Sequence, residues 1–240
     1  MRFIFDLHTH TTASGHAYST LNENILAAKK RGLKLLGVSD HAPKMPGSAQ
    51  EYYFGNLKVL PEVIEGLRVL KGVELNILNS AGDIDLSDHD MKHLDYAIAS
   101  LHIPCFENLG ATENTNALIN AMKHPKVHII GHPDDSRYPL ELERLVIAAK
   151  ENNVLLEVNN SSLSPIAVRQ NARENYLVLL ELCAKYQVPV ILGSDAHYVS
   201  DIGNFENAIK LIEEVNFPKN LVVNDDINRL FSYLKPSKEL

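Results

Sequence analysis

Two imidazoles separated by a single residue, His8 and His10, with His16 a few positions on, begin a series that recurs along this 240-residue chain. Ser39-Asp40-His41, Gly72-Val73-Glu74, Ser100-Leu101-His102, Gly131-His132-Pro133 and Gly193-Ser194-Asp195-Ala196-His197 each set a histidine or a carboxylate within or just beyond a short apolar run. Imidazole is the commonest protein ligand for transition metals, and mixed with a few carboxylates it suits Zn²⁺, Mn²⁺ or Fe²⁺. At about three or four protein ligands per ion, the set His8, His10, His16, His41, Glu74, His102, His132, Asp195 and His197 is enough for two or three ions. Side chains two apart on a strand share a face, so His8 and His10 can reach one metal. A carboxylate such as Glu74 can bridge two ions, and ions so placed activate water while clamping the attacking and leaving oxygens of a phosphate ester. His89, His93, His124 and His128 lie in an Asp-rich stretch, before Pro125 or at a strand's start, and read as surface or packing residues. Cys105, three positions beyond His102, reads the same way.

The elements that must position these groups show as Val-, Ile- and Leu-rich runs at residues 3–7, 33–39, 69–78, 96–101, 127–131, 154–158 and 188–193. Near-continuous apolar runs of this length suit strands buried on both faces of a parallel sheet. Helical spacing lies between most of them: after the Thr20-x-x-Glu23 capping box, at Leu142, Leu145, Val146 and Ala149, and at Leu177, Leu180 and Ala184. Further helices are expected around 51–67, 112–123, 205–215 and 225–234. Alternating β and α predicts an all-parallel α/β architecture. Seven strands match a closed barrel better than a nucleotide-binding sheet, since no GxGxxG follows the first strand and no GxxxxGK[ST] occurs. Residues 79–94, with Asp83, Asp85, Asp88 and Asp90, break the alternation, and Leu221–Val223 offers an eighth short strand. In such barrels the catalytic groups gather where the βα loops open, at the strands' C-terminal ends. Only the sixth strand, ending Glu157-Val158-Asn159-Asn160, has no histidine or carboxylate beyond its boundary.

Composition narrows the classes. A net charge of −7 provides no basic footprint for gripping a nucleic-acid backbone. No apolar run approaches the roughly 20 residues of a membrane span, and the N-terminus reaches Asp6 before any signal-peptide core, so a cytoplasmic location is expected. Two cysteines far apart, without CxxC, indicate neither a disulfide framework nor a thiolate zinc site. Without a linker-like segment, residues 1–240 read as a single domain.

Taken together, the His8-x-His10 pair, His16, Ser39-Asp40-His41, Gly72-Val73-Glu74, His102, Gly131-His132-Pro133 and the Gly193-to-His197 run resemble the PHP (polymerase and histidinol phosphatase) superfamily. Spacing and chain size are most similar to its stand-alone YcdX-like phosphatases. The resemblance spans residues 3–197 and implies a distorted (β/α)7 barrel with a trinuclear metal site, usually zinc, with manganese, iron or magnesium as alternatives. It places one ion on His8, His10, Glu74 and Asp195, a second on Glu74, His102 and His132, and a third on His16, His41 and His197.

The expected reaction is hydrolysis of a small phosphomonoester, with metal-bound hydroxide attacking phosphorus and no protein nucleophile. Arg169 and Arg173, after the sixth strand, are candidates to grip phosphate; the leaving-group acid is unassigned. Asp6 and Asp40 adjoin ligand histidines and are read as imidazole-orienting acceptors or as local turn and capping groups. In the loops at 43–54 and 104–112, Tyr52, Tyr53 and Phe106 are read as pocket lining or core. A PHP-type phosphodiesterase or nuclease is the nearest rival. An amidohydrolase shares the HxH and the last-strand Asp but usually bridges its metals with a modified Lys, where this chain has Glu74. A non-catalytic metal site would saturate its ions with protein ligands, leaving no place for water or substrate.

Overall fold

A computed structural model describes residues 3–234. Strands run β1 (Phe5–Asp6), β2 (Leu35–Val38), β3 (Val63–Ile64), β4 (Leu67–Lys71), β5 (Glu74–Asn76), β6 (Ala97–Ser100), β7 (Val127–Ile130), β8 (Leu155–Asn159) and β9 (Val190–Gly193). Helices α1 (Leu21–Lys30), α2 (Glu51–Asn56), α3 (Asp88–Met91), α4 (Ala111–Ala121), α5 (Leu142–Asn152), α6 (Ala172–Tyr186), α7 (Glu206–Glu214) and α8 (Ile227–Tyr233) are interleaved with them. The strands form two sheets, β1-β2-β4-β3 and β5-β6-β7-β8-β9, parallel throughout except for the β3/β4 pair. At the C-terminal rim, parallel bridges His41↔Glu74 and Thr9↔Ala196 join the sheets on both sides. With β4 and β5 as two halves of one strand, the result is a distorted (β/α)7 barrel.

Period-two alternation orders the barrel interior by depth. Its floor is apolar: Leu35, Leu70, Ile98, Ile129, Leu155 and Ile191 pack with Phe5, Leu7 and Tyr96, and Leu230 of α8 joins the same cluster. Two residues further along each strand stand Gly37, Gly72, Ser100, Gly131, Glu157 and Gly193. Five of these six are small, and have to be: a Cβ on Gly72 would lie 2.3 Å from the Tyr96 ring, and one on Gly193 would lie 1.8 Å from Oε1 of the sixth, Glu157. Another two residues on come Ser39, Glu74, His102, Asn159 and Asp195. A second core lies outside the barrel, where Leu118, Leu145, Val146, Leu179, Leu180, Leu211 and Ile212 of the helices cover Leu75, Ala99, Ile130, Leu156, Val158 and Leu192. Each fully buried aliphatic side chain there contributes about 1.5–3 kcal/mol, which makes the barrel a rigid mount for its rim.

The capping box at α1 forms as predicted: Thr20 Oγ1 accepts from Glu23 N–H while Glu23 Oε2 accepts from Thr20 N–H at 2.7 Å. Elsewhere tertiary pairing overrides the local pattern. The helix expected over 51–67 stops at Asn56, and 63–71 folds into an antiparallel hairpin through Glu65 and Gly66, both at positive φ. The continuous strand expected over 69–78 is cut between Lys71 and Glu74, which lets one half pair with β2 and the other with β6. Residues 221–223 are no strand; two single helical turns flank Val222, which makes one bridge to Val190. The Asp-rich segment holds only the four-residue α3. Among the described residues, no helix is long and apolar enough to cross a membrane.

Candidate metal centre

The nine predicted groups converge on the rim to different depths. His8, His10, His41, Glu74, His132 and Asp195 are buried, His102 and His197 partly so, and His16 stands exposed on the loop after β1. Glu74 is central. Its Oε1 is 2.8 Å from His132 Nε2 and 3.1 Å from His102 Nε2, while its Oε2 is 2.7 Å from His41 Nδ1, 3.4 Å from His8 Nε2 and 3.5 Å from His10 Nε2. Asp195 Oδ1 lies 3.2 Å from His10 Nε2, 3.5 Å from His8 Nε2 and 3.4 Å from His197 Nδ1. Four overlapping triads have their ligand atoms within 4.8 Å of one another: His8/His10/Glu74, His8/His132/Asp195, His41/Glu74/His102 and His10/His41/His197. His16 joins by its ring, stacked 4.9 Å from those of His41 and His197. Two of these residues, His132 (φ 31°) and Asp195 (φ 53°), occupy the left-handed backbone region, which costs of order 1–3 kcal/mol each. Their peptide N–H groups are held by Glu157 Oε2 at 2.8 Å and the His8 carbonyl at 2.9 Å.

The donor set fits divalent cations. His8 Nε2, His10 Nε2, His41 Nδ1 and Glu74 Oε2 are buried with no hydrogen-bond partner, and all aim into one space. Orphaned buried polar atoms are costly unless something satisfies them. The opposite ring nitrogens are engaged: His8 Nδ1 with Glu157 Oε1 at 2.7 Å, His10 Nδ1 with Ser14 Oγ at 3.0 Å and His102 Nδ1 with Asn76 Oδ1 at 2.7 Å. These partners set the tautomers that leave the inward nitrogens as acceptors. Burial pushes the Glu74 carboxyl up, but His41, His102 and His8 outweigh it and hold the group well below the carboxylate range. Burial likewise drives His10 well below neutral, and takes His102 down to about 4. His8 goes the other way: burial lowers it, yet Glu157, Glu74 and Asp195 together raise it well above the usual range.

Glu157, absent from the sequence-derived ligand set, is nearly fully buried beneath this cluster. Its signal was a lone acid two residues past Leu155 on a strand buried throughout. Ser14 and Asn76 carried no such signal, because their roles depend on chain segments meeting in space. Neither Asp6 nor Asp40 touches an imidazole. Asp6 accepts backbone N–H groups of His8, Ser194 and Gly203. Asp40 accepts from Thr11, from Tyr53 Oη at 2.7 Å and from Ser14 Oγ at 2.6 Å, and so reaches His10 through Ser14. Tyr52 is exposed and Phe106 is core.

Over the cluster opens a cavity of about 460 Å³ lined by His16, His41, His102, His132, Asp195, His197 and Arg169. Arg169 holds Asp195 Oδ2 at 3.3 Å and faces this space. The structure does not bring Arg173 to this space: as the second residue of α6 it points along the surface to Glu214 at 2.5 Å and does not line the histidine cavity. Of the other histidines, His128 is buried at the start of β7, accepting from Ala97 N–H, and His124 pairs with Asp88 on the surface. Cys105 lines a separate surface cleft.

Comparison with known proteins identifies the chain's relatives. The chain is 47% identical over 239 residues to a probable phosphatase of Thermoanaerobacter sp. (strain X514), covering 99% of this chain and 97% of the relative. It is 45% identical over 240 residues to a probable phosphatase of Clostridium acetobutylicum, covering 100% and 98%. In fold it is similar to the histidinol phosphate phosphatase of Lactococcus lactis, solved with zinc, L-histidinol and phosphate, at a TM-score of 0.63 and 18% identity over 90% of this chain and 94% of that one. The model of the PHP domain family matches residues 6–161. With rim and relatives in agreement, the chain belongs to the PHP domain family.

Proposed function

We infer that the chain is a PHP-type phosphatase, a single hydrolase domain over residues 1–240 that cleaves small phosphomonoesters with a trinuclear metal centre, zinc being the expected ion and manganese, iron or magnesium the alternatives. The observation that carries this reading is the set of orphaned ligand atoms of His8, His10, His41 and Glu74 beneath a cavity edged by an arginine. His8, His10, Glu74 and Asp195 would hold one ion, Glu74, His102 and His132 a second, and His16, His41 and His197 a third. When bound, such ions supply an activated water and neutralise charge on the phosphate oxygens. The protein's own part is positioning. Arg169, restrained by Asp195, presents a planar guanidinium to phosphate oxygens, a geometry suited to bidentate contact. Glu157 and Ser14 keep His8 and His10 in the ligating tautomer. The cavity volume suits a small ester, and among the described residues its lining includes no lysine to carry the modification an amidohydrolase uses. A small zinc-dependent phosphatase also accords with the Lactococcus lactis neighbour, whose structure was solved with zinc, L-histidinol and phosphate.

Elemental analysis of the purified protein, joined to a phosphatase screen over metabolites, tests the reading. Zinc near three equivalents and hydrolysis lost in His132→Ala and Asp195→Ala are expected. A metal-free active protein, or full activity in both variants, overturns it.

A further inference from the structure

We propose that the leaving group accepted by this cavity is uncharged and polyhydroxylated, as in a sugar or polyol phosphate, and that Asn207 is a specificity-determining residue. This rests on the phosphatase reading and names the substrate class for the same site. Away from the imidazoles, one side of the cavity is polar, walled by Asn160 and Ser161 after β8 and by Asp201, Asn204 and Asn207 after β9, while Met45, Ile166, Ala167 and Val168 line the other. Hydrogen-bond accounting shows what that wall offers. Asn160 Oδ1 accepts the N–H groups of Asn207 at 2.8 Å and Ala208 at 3.2 Å, and Asn204 Oδ1 accepts that of Glu206 at 3.2 Å. Both carboxamide oxygens are thus committed to the first turn of α7. Their Nδ2 groups, and the whole Asn207 amide, have no side-chain hydrogen-bond partner among the described residues. The wall therefore presents donors, with the exposed Asp201 carboxylate as an acceptor at its edge.

Each competing leaving group fits this wall less well. An added carboxylate or second phosphate needs a free cation, whereas among the described residues the only arginine or lysine lining the cavity is Arg169, already held by Asp195. Neutral amides repay little of the cost of stripping water from a charge. An ammonium group finds only Asp201, which solvent screens. An aromatic leaving group would meet Met45, Ile166 and Val168 on the opposite side, but it would strip water from the amides of this wall without replacing their hydrogen bonds. Hydroxyl groups both donate and accept, and so match amide donors and a carboxylate together.

Kinetics of the metal-loaded enzyme on glucose 6-phosphate, glycerol 3-phosphate, histidinol phosphate and phenyl phosphate test this. The hydroxylated esters should have the higher kcat/KM. Asn207→Leu should raise KM for them about threefold to tenfold, the worth of one neutral hydrogen bond, with kcat and the phenyl phosphate constants held. Asn207→Ala, which removes the amide without adding bulk or charge, should shift KM the same way and guards against a packing defect in the first variant. A preference for phenyl or histidinol phosphate, or equal losses on every ester, overturns the assignment of the leaving group while leaving the phosphatase reading intact. Hydrolysis of none of the four overturns both.

Discussion

Glutamine at position 157 should uncouple metal binding from folding. The Glu157 carboxylate only accepts: Oε1 takes His8 Nδ1–H at 2.7 Å, and Oε2 takes His132 N–H at 2.8 Å and Asn159 Nδ2–H at 3.1 Å. A Gln of the same shape has one oxygen, which belongs on the Oε2 side where two donors wait. Its amino group then faces His8 Nδ1 and forces the proton onto Nε2. That nitrogen, 3.4 Å from Glu74 and 3.5 Å from Asp195, becomes a donor and ceases to be a ligand. Losing such an imidazole-orienting partner typically costs about 10- to 100-fold in metal affinity, or about 1.4–2.7 kcal/mol. Chelator competition followed by elemental analysis should show Glu157→Gln losing zinc at chelator concentrations about 10- to 100-fold lower than wild type, with an unchanged far-ultraviolet circular dichroism spectrum. Wild-type zinc affinity in a folded Glu157→Gln protein would refute the tautomer reasoning.

Three further outcomes are expected. Ser14→Ala removes the acceptor of His10 Nδ1–H and of His41 N–H and should weaken zinc binding about tenfold; Tyr53→Phe, which removes only the outer bond to Asp40, should cost about 1 kcal/mol in urea melts and spare the metals. Arg169→Ala should raise KM for phosphate esters about tenfold or more, since hydrogen bonds to charged groups are worth about 1.5–3 kcal/mol, whereas Arg173→Ala, which breaks only the surface pair with Glu214, should leave KM and kcat unchanged. Burial, reinforced by Lys126, lowers His128 to about 4. The unfolded chain, with a histidine near 6.5, then binds the extra proton between about pH 4 and 6.5. Stability should therefore fall with acidity through that window by up to about 3 kcal/mol, and His128→Asn should flatten this slope in urea titrations at successive pH values.

The ligand chemistry and its grouping at one barrel rim were legible in the chain. A strand's alternation is local, so a histidine two or four residues past an inward aliphatic faces inward whatever the neighbours are. Ile98 to His102 and Ile191 to Asp195 follow that rule, and the seven apolar runs predicted the barrel's staves. What depended on partners distant in sequence was not legible. Glu157 looks like an ordinary strand acid until the fold sets it 2.7 Å from His8, across 149 residues of chain. Residues 57–67 were expected to continue α2, but Pro61 and Gly66 oppose a helix there, and Val63 and Ile64 pair instead with the edge of β4. The need for glycine at position 72 arises only once the Tyr96 ring fills the barrel floor. Arg169 lies on the loop before α6 and Arg173 in its first turn, and pairing with Asp195 or with Glu214 decided which of them faced the cavity. The sequence by itself determined the kinds of atoms available to a metal, because side-chain chemistry and the two-residue repeat are properties of the chain alone. Only the tertiary structure decided which of those atoms stay free to bind one, because a tautomer or a carboxamide's orientation is set by hydrogen-bond partners that exist only after the barrel has closed.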